Sequence, residues 1–209
     1  MSQFVCSSVP NAVDRETEIA LVGRLREGDA TAFDAIYEAF NVRLLTFLVR
    51  LSRRRDVAED LLDETWLRLV KHAPRLAEDT RIGAWLFTVA RNLHVSYVRS
   101  RMLEDSASAG LMALWPFSPA SGGSSPFEAA AASELHRRIE HALATLPRMS
   151  REVLLLVAVG GLDHAAAAAV SGISPEAFRQ RLSRARAQLA RTLDQDCRSG
   201  AVRLSEVTP

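Results

Sequence analysis

Apolar residues recur along this chain at spacings of three and four, and nowhere do they alternate in a Val/Ile/Thr run bounded by turn residues, which predicts helices and no sheet. The longest stripe is Phe33, Ile36, Tyr37, Phe40, Leu44, Phe47, Leu48 and Leu51. It spans about five turns and is expected to form the spine of an N-terminal domain. Before it, a helix from Asp14 to Glu27 places Ile19, Val22 and Leu25 on one side and stops at Gly28-Asp29, where Asp29 can cap the stripe helix. After Arg53-Arg54-Arg55, Asp56-Val57-Ala58-Glu59 reads as a capping box opening a third helix that ends before Pro74. A fourth, from about Arg81 to Arg99, carries Ile82, Leu86, Val89 and Leu93 inward and leaves a polar, basic face outward.

Between Met102 and Pro126 the period disappears into SASAG and SPASGGSSP, a linker composition interrupted by the apolar run LMALWPF. An apolar run of this kind is expected to pack against one of the flanking domains. Helical spacing returns over Glu128 to Leu146, Pro147 to Val159, Asp163 to Val170 and Ser174 to about Asp194, with turns at Gly160-Gly161 and Gly172. The expected architecture is all-α, with two small helical domains, 14–101 and 127–195, joined by a flexible linker at 102–126. Segments 1–13 and 196–209 are expected to be flexible ends.

Several function classes drop out. No apolar run reaches the roughly 18 residues that span a bilayer, and MSQFVCSSVP lacks a basic start with an apolar core. A cytoplasmic protein without membrane insertion is expected. Cys6 and Cys197 alone supply neither a disulfide framework nor a four-ligand zinc site. No nucleophile–base pair, phosphate loop or metal spacing is present, so no catalytic residue, metal or cofactor is expected and the chain is not read as an enzyme. A net charge of +1 does not by itself suggest nucleic acid, so the distribution of charge decides.

That distribution is uneven. The last segment reads as a short Ala-rich helix, a turn at Gly172, and a longer helix capped by Ser174 with Pro175 at its first position, the order of a helix-turn-helix. Phe178, Leu182, Ala185 and Leu189 face inward. Glu176, Arg179, Gln180, Ser183, Arg184 and Arg186 are left to solvent on a helix with five arginines and one glutamate between Pro175 and Arg191. Arg and Gln there pair bidentately with guanine and adenine edges, and the other arginines suit phosphates. On the third helix Asp60, Asp63 and Glu64 project together beside Leu62 and Trp66, a patch for a basic protein partner. The fourth combines Trp85, Phe87 and Tyr97 with Arg81, Arg91, Asn92, His94, Ser96 and Arg99, rings and cations of the kind that hold unstacked bases, although rings at helical spacing more often face the core, where Trp85 is expected. The loop from Leu76 to Ile82 lies where a flipped base could enter.

The stretches AEDLLDETWLRLVK and RIGAWLFTVARNLHVSYVRSR closely resemble the second conserved region of extracytoplasmic-function (ECF) sigma factors of the sigma-70 family. LATLPRMSREVLLLVAVGGLDHAAAAAVSGISPEAFRQRLSRARAQL resembles their fourth region. The resemblance implies a subunit that binds core RNA polymerase and directs promoter-specific initiation under an anti-sigma factor. Asp60, Asp63, Glu64 and Trp66 would dock on the β′ clamp helices. Asp79, Thr80, Arg81 and Ile82, with Arg91, Asn92, Val95, Ser96 and Arg99, would read and hold open the minus 10 element. Glu176, Arg179, Gln180, Ser183, Arg184 and Arg186 would lie at the minus 35 element.

Two positions depart from the family pattern: Asp63 stands where glutamine is common, and HAAAAAV replaces a polar and acidic mixture. The second change leaves fewer phosphate contacts and a shallower surface for the polymerase β flap or an anti-sigma factor. Elements two helical turns apart require the domains ~70 Å apart. A fully extended 102–126 spans roughly 80 Å but averages nearer 30 Å when free, so polymerase must impose the spacing. Two rival readings are a helix-turn-helix repressor and a sigma mimic that titrates an anti-sigma factor.

Overall fold

The computed structural model describes residues 14–107 and 128–205; residues 1–13, with Cys6, and 108–127, with LMALWPF, lie outside the described residues, as does the side chain of Cys197. Among the described residues the chain is helical and contains no strand. No helix among them is long and apolar enough to cross a membrane.

The first helix, α1 (Arg15–Arg26), starts where the Asp14 carboxylate accepts the Thr17 N–H at 3.0 Å. Gly28, at φ +83°, turns the chain. Asp29 then caps α2 (Ala30–Ser52) through the Thr31 N–H at 2.8 Å. Of the stripe read from the sequence, Ile36, Phe40, Leu44, Phe47, Leu48 and Leu51 are buried together with Ala32, whereas Phe33 is half-buried and Tyr37 is exposed.

Arg53 ends α2 in the left-handed region at φ 61°, and α3 (Arg55–His72) begins at once. Its N-cap is Arg54, which makes no capping side-chain bond. The expected capping box is therefore absent: Asp56 and Glu59 lie inside the helix and pair with Arg54 and Arg55. A 3-10 turn at Ala73–Arg75 holds Pro74, and α4 (Ile82–Ala107) follows. This helix outlasts the expected end at Arg99 because no Gly or Pro occurs before Gly110.

Helices α1, α3 and α4 pack around α2. Phe47 of α2 meets Phe87 of α4 edge to face at 5.2 Å between centroids, a favoured aromatic geometry. At the start of α4 a Cβ on Gly83 would sit 2.9 Å from Phe40 Cε1, so glycine permits this close approach.

The second group comprises α5 (Glu128–Thr145), α6 (Arg148–Ala158), α7 (His164–Ser171) and α8 (Pro175–Ser205). Its centre is Phe178, fully buried, with Leu155 and Leu156 of α6, Ala167 and Ala168 of α7, and Leu182 and Ala185 of α8. Arg151 is 6% exposed and closes the α5–α6 corner. Its guanidinium donates to the carbonyls of Leu143 at 2.9 Å and of Ala144 and Leu146 at 3.0 Å. Leu143 and Ala144 are in the last turn of α5 and Leu146 lies just past it, where a helix runs short of internal donors; Leu143 also accepts the Leu146 N–H at 3.2 Å.

The two groups do not stand apart. Helix α4 packs on α7, α2 packs on α6, and the buried side chains of both groups form one continuous cluster. The Ala-rich sequence of α7 makes this possible, because methyl-sized side chains let it lie against α8 and α4 at once.

Candidate functional site

The acidic face of α3 is the first of three exposed surfaces. Asp60 and Asp63 are solvent-exposed, and no described side chain pairs with either. Glu64 sits beside them, half-buried, and accepts from Arg68 Nε at 2.8 Å. Trp66 is not on this surface: it is 7% exposed, its ring packs on Phe33 and Tyr37, and its Nε1 donates to Asn41 Oδ1 at 3.1 Å. Trp66 therefore fixes α3 to α2. Leu62, read from the sequence as its neighbour, is also buried.

In place of Trp66, Leu67 and Val70 are exposed at 66% and 58%, with Tyr37 at 40%. With Phe33, Asp63 and Trp66 they line a shallow groove along α2 and α3. Sequence reasoning missed Leu67 and Val70. The available signal was the i, i+4, i+7 spacing of Asp63, Leu67 and Val70, one step off the buried Leu62–Trp66–Leu69 stripe.

The second surface is α4 and its preceding loop. Asp79 and Arg81 are exposed and Thr80 is half-buried; on α4, Asn92, Ser96 and Arg99 are exposed, with Arg91 and Val95 half-buried. Ile82, expected at the minus 10 element, is fully buried and anchors the start of α4 in the core. Phe87 and His94 are buried as well, which leaves Trp85 and Tyr97 as the partly accessible rings of that helix. Arg91 turns inward. Its Nε donates to Glu152 Oε1 of α6 at 3.1 Å and its Nη2 to the Ser171 carbonyl of α7 at 3.3 Å.

His94 lies in the same seam at 2% exposure. Burial, reinforced by the Arg148, Arg151 and Arg91 charges, pushes its imidazole down to about 4 from 6.5, so the ring is neutral at physiological pH. The unfolded chain takes up that proton near pH 6.5 and the folded one only near 4. The contribution is thus fully present above 6.5 and is lost as pH falls toward 4. We expect the thermal midpoint to drop across this window and His94→Leu to flatten the drop, as read by circular dichroism melts at stepped pH. Asp14, Asp29 and Asp163, held below the usual carboxylate range, add a loss of their own only below about pH 5, so the drop between 6.5 and about 5 reports His94.

The third surface is the helix-turn-helix. Asp163 caps α7 by accepting the Ala166 N–H at 2.8 Å, and Gly172 ends the helix in the left-handed region at φ 67°. Ser174 Oγ accepts the Ala177 N–H at 3.2 Å at the start of α8. Phe178, Leu182 and Ala185 face inward as expected. Glu176, Arg179, Gln180, Ser183, Arg184 and Arg186 are all exposed on the opposite side. This basic face fits a DNA groove in size and charge.

Among the described residues the frame is all helix and carries a basic helix-turn-helix and an acidic, partly apolar face on α3. Comparison with known proteins narrows the class. The Sigma-70 region 2 family model matches residues 36–104 and the Sigma-70, region 4 model matches residues 136–189. The ECF RNA polymerase sigma factor EcfG of Rhodopseudomonas palustris (strain TIE-1) is 32% identical over 72% of this chain and 78% of its own length. RNA polymerase sigma factor CarQ of Myxococcus xanthus is 32% identical over 77% of this chain and 88% of its own.

Among solved structures, the sigma factor RpoE of Bartonella quintana in complex with the anti-sigma factor NepR superposes with a TM-score of 0.64. It is 28% identical, covering 78% of this chain and 96% of that one. CnrH in complex with the cytosolic domain of CnrY gives 0.63 at 26% identity, covering 86% and 98%. The chain belongs to the sigma-70 family, in its ECF class. It is a sigma factor, a transcription-initiation subunit that binds core RNA polymerase and directs promoter-specific initiation.

Proposed function

We propose how the surfaces divide that work. Asp60 and Asp63, flanked by Glu64 and by the apolar Leu67 and Val70, dock on a basic helical surface of core polymerase, with Trp66 holding the face in shape. The outer side of α4, with Asp79, Thr80 and Arg81 before it, the exposed Asn92, Ser96 and Arg99 along it and the half-buried Arg91 and Val95 beside them, holds the melted minus 10 element. The exposed side of α8 reads the minus 35 element in the major groove. The segments act as two domains, 14–101 and 127–195, joined through 102–126 with terminal segments 1–13 and 196–209. The protein works in the cytoplasm under an anti-sigma factor and has no catalytic chemistry of its own, nucleotidyl transfer being the polymerase's.

One observation carries this reading. A single chain presents two exposed acids without described partners on α3, Asp60 and Asp63, and a basic helix-turn-helix whose six expected contacts are all exposed. Size exclusion of the purified protein with core RNA polymerase tests it. Co-elution supports the assignment. A folded protein that elutes alone, and binds duplex DNA unaided as a dimer, is a repressor; one that binds neither is a mimic.

On α8 the expected effects differ by position. Replacing Arg179 with Ala removes a base-edge contact and should weaken promoter binding by the holoenzyme by about 1–3 kcal/mol, with relaxed choice at one base pair. Arg186→Ala should weaken all sequences alike and lower the salt slope by about one. Fluorescence anisotropy with promoter variants across a salt series distinguishes these outcomes.

A further inference from the structure

The loop before α4 is held in place by α1. Arg15 Nη2 donates to the Asp79 carbonyl at 2.5 Å, and Arg15 Nη1 reaches the Thr80 carbonyl at 3.5 Å. The same Nη1 meets Glu18 Oε2 at 3.1 Å. The other oxygen of Glu18 accepts the Gly83 N–H at 3.2 Å. Two side chains one turn apart on α1 thus grip both the loop backbone and the first turn of α4.

Helix α4 lacks an acceptor of its own at this end. The Trp85 N–H donates to the Arg81 carbonyl at 2.9 Å, which puts Arg81 at the cap position, and a guanidinium offers no acceptor to the first N–H groups. Glu18 supplies one from another helix, and its charge suits the positive end of the α4 dipole. Phe40 lies close enough to Gly83 to exclude a Cβ there, so the first turn of α4 is also seated against α2. The grip has a firm base: Asp14 accepts the Thr17 N–H at 3.0 Å and its hydroxyl at 2.7 Å, and Val22 and Leu25 of α1 are buried. Arg26 also pairs with Glu78 at 2.9 Å, but Glu78 is 82% exposed, so this contact adds little.

We propose that Arg15 and Glu18 are positioning residues for base recognition, fixing the backbone from Asp79 to Gly83 so that the loop side chains meet an unstacked base in one geometry. This rests on the assignment of the loop and α4 to the minus 10 element. Arg15 and Glu18 act through the loop carbonyls and the α4 N-terminus, without touching DNA. A loop held this way rejects a wrong base; one free to shift accommodates it.

Holoenzyme binding to fork-junction DNA tests this, using the minus 10 element of a promoter mapped with wild type and replacing each base in turn. Read by fluorescence anisotropy, Arg15→Ala and Glu18→Ala should each lower the ratio of cognate to substituted affinity by about tenfold at one or two positions. Affinity for core polymerase and helicity should stay near wild type. Glu18→Gln keeps an acceptor for the Gly83 N–H and should retain more of the ratio than Glu18→Ala. Arg15 is exposed, so Arg15→Ala carries the test if Glu18→Ala does not fold.

A folded Arg15→Ala that keeps the wild-type ratio overturns the proposal. So does equal weakening at every base: with a salt slope lower by about one it marks a direct phosphate contact, and with the slope unchanged it marks lost stability alone. Failure of the minus 10 assignment reads differently, because Asp79→Ala and Thr80→Ala then leave the ratio unchanged as well, and the proposal falls with it.

Discussion

Asp60→Arg/Asp63→Arg is expected to lose core polymerase binding by about 100-fold or more while its helical content and melting stay near wild type. Both side chains are exposed with no described partner, so replacing them removes nothing that holds the fold, and surface changes of this kind usually stay within about 0.5 kcal/mol. At a charge-complementary interface each reversal places like charges together. A penalty of only about 1.4 kcal/mol per site, low for such contacts, gives tenfold each. Glu64→Gln should have a smaller effect, because Glu64 is already engaged by Arg68 at 2.8 Å. Titration of labelled core with each variant at fixed salt gives the ratio. Near wild-type affinity in the double variant would remove α3 from the docking surface.

The second large effect is on stability. Arg151→Ala strips donors from three carbonyls at the end of α5 and leaves a cavity where a buried side chain stood. Leu143 keeps the Leu146 N–H, while Ala144 and Leu146 lose the Arg151 donor at about 1–3 kcal/mol each, less whatever water recovers, so with the cavity a total of about 3–5 kcal/mol is expected. That is a large part of the margin by which a small domain is folded. Arg151→Lys should recover little, since one ammonium cannot reproduce the fork that spans these oxygens. Urea unfolding followed by circular dichroism measures both; an Arg151→Ala midpoint within error of wild type would contradict the corner's role.

Much of this was legible in the sequence because it depends on local chemistry. The α2 stripe apart from Phe33 and Tyr37, the Asp29 and Ser174 caps, the Gly172 turn and the outward set on α8 follow from helical period and capping preference, and these recur in the structure. Periodicity says which residues share a face; it does not say how many faces are covered. Helix α4 is packed by α2 and α3 on one side and by α7 on another, so Phe87 and His94, read as accessible, are buried.

Trp66 was misplaced for a related reason. A ring beside an acidic face looks available until Asn41 and Tyr37 of α2 arrive to satisfy it. The Ala-rich α7 suggested only a shallow surface. Its small side chains instead allow the close approach that lets α6 and α7 reach Arg91, a contact between residues 61 positions apart in the chain that no local pattern encodes.

The central claim is promoter-specific initiation, and in vitro transcription from genomic fragments of the source bacterium, with transcript 5′ ends mapped, tests it most directly. Core polymerase plus this protein should give discrete starts, absent with core alone, that share two upstream motifs at constant spacing and disappear with Asp60→Arg/Asp63→Arg. A folded protein that yields no starts above core alone would contradict the account.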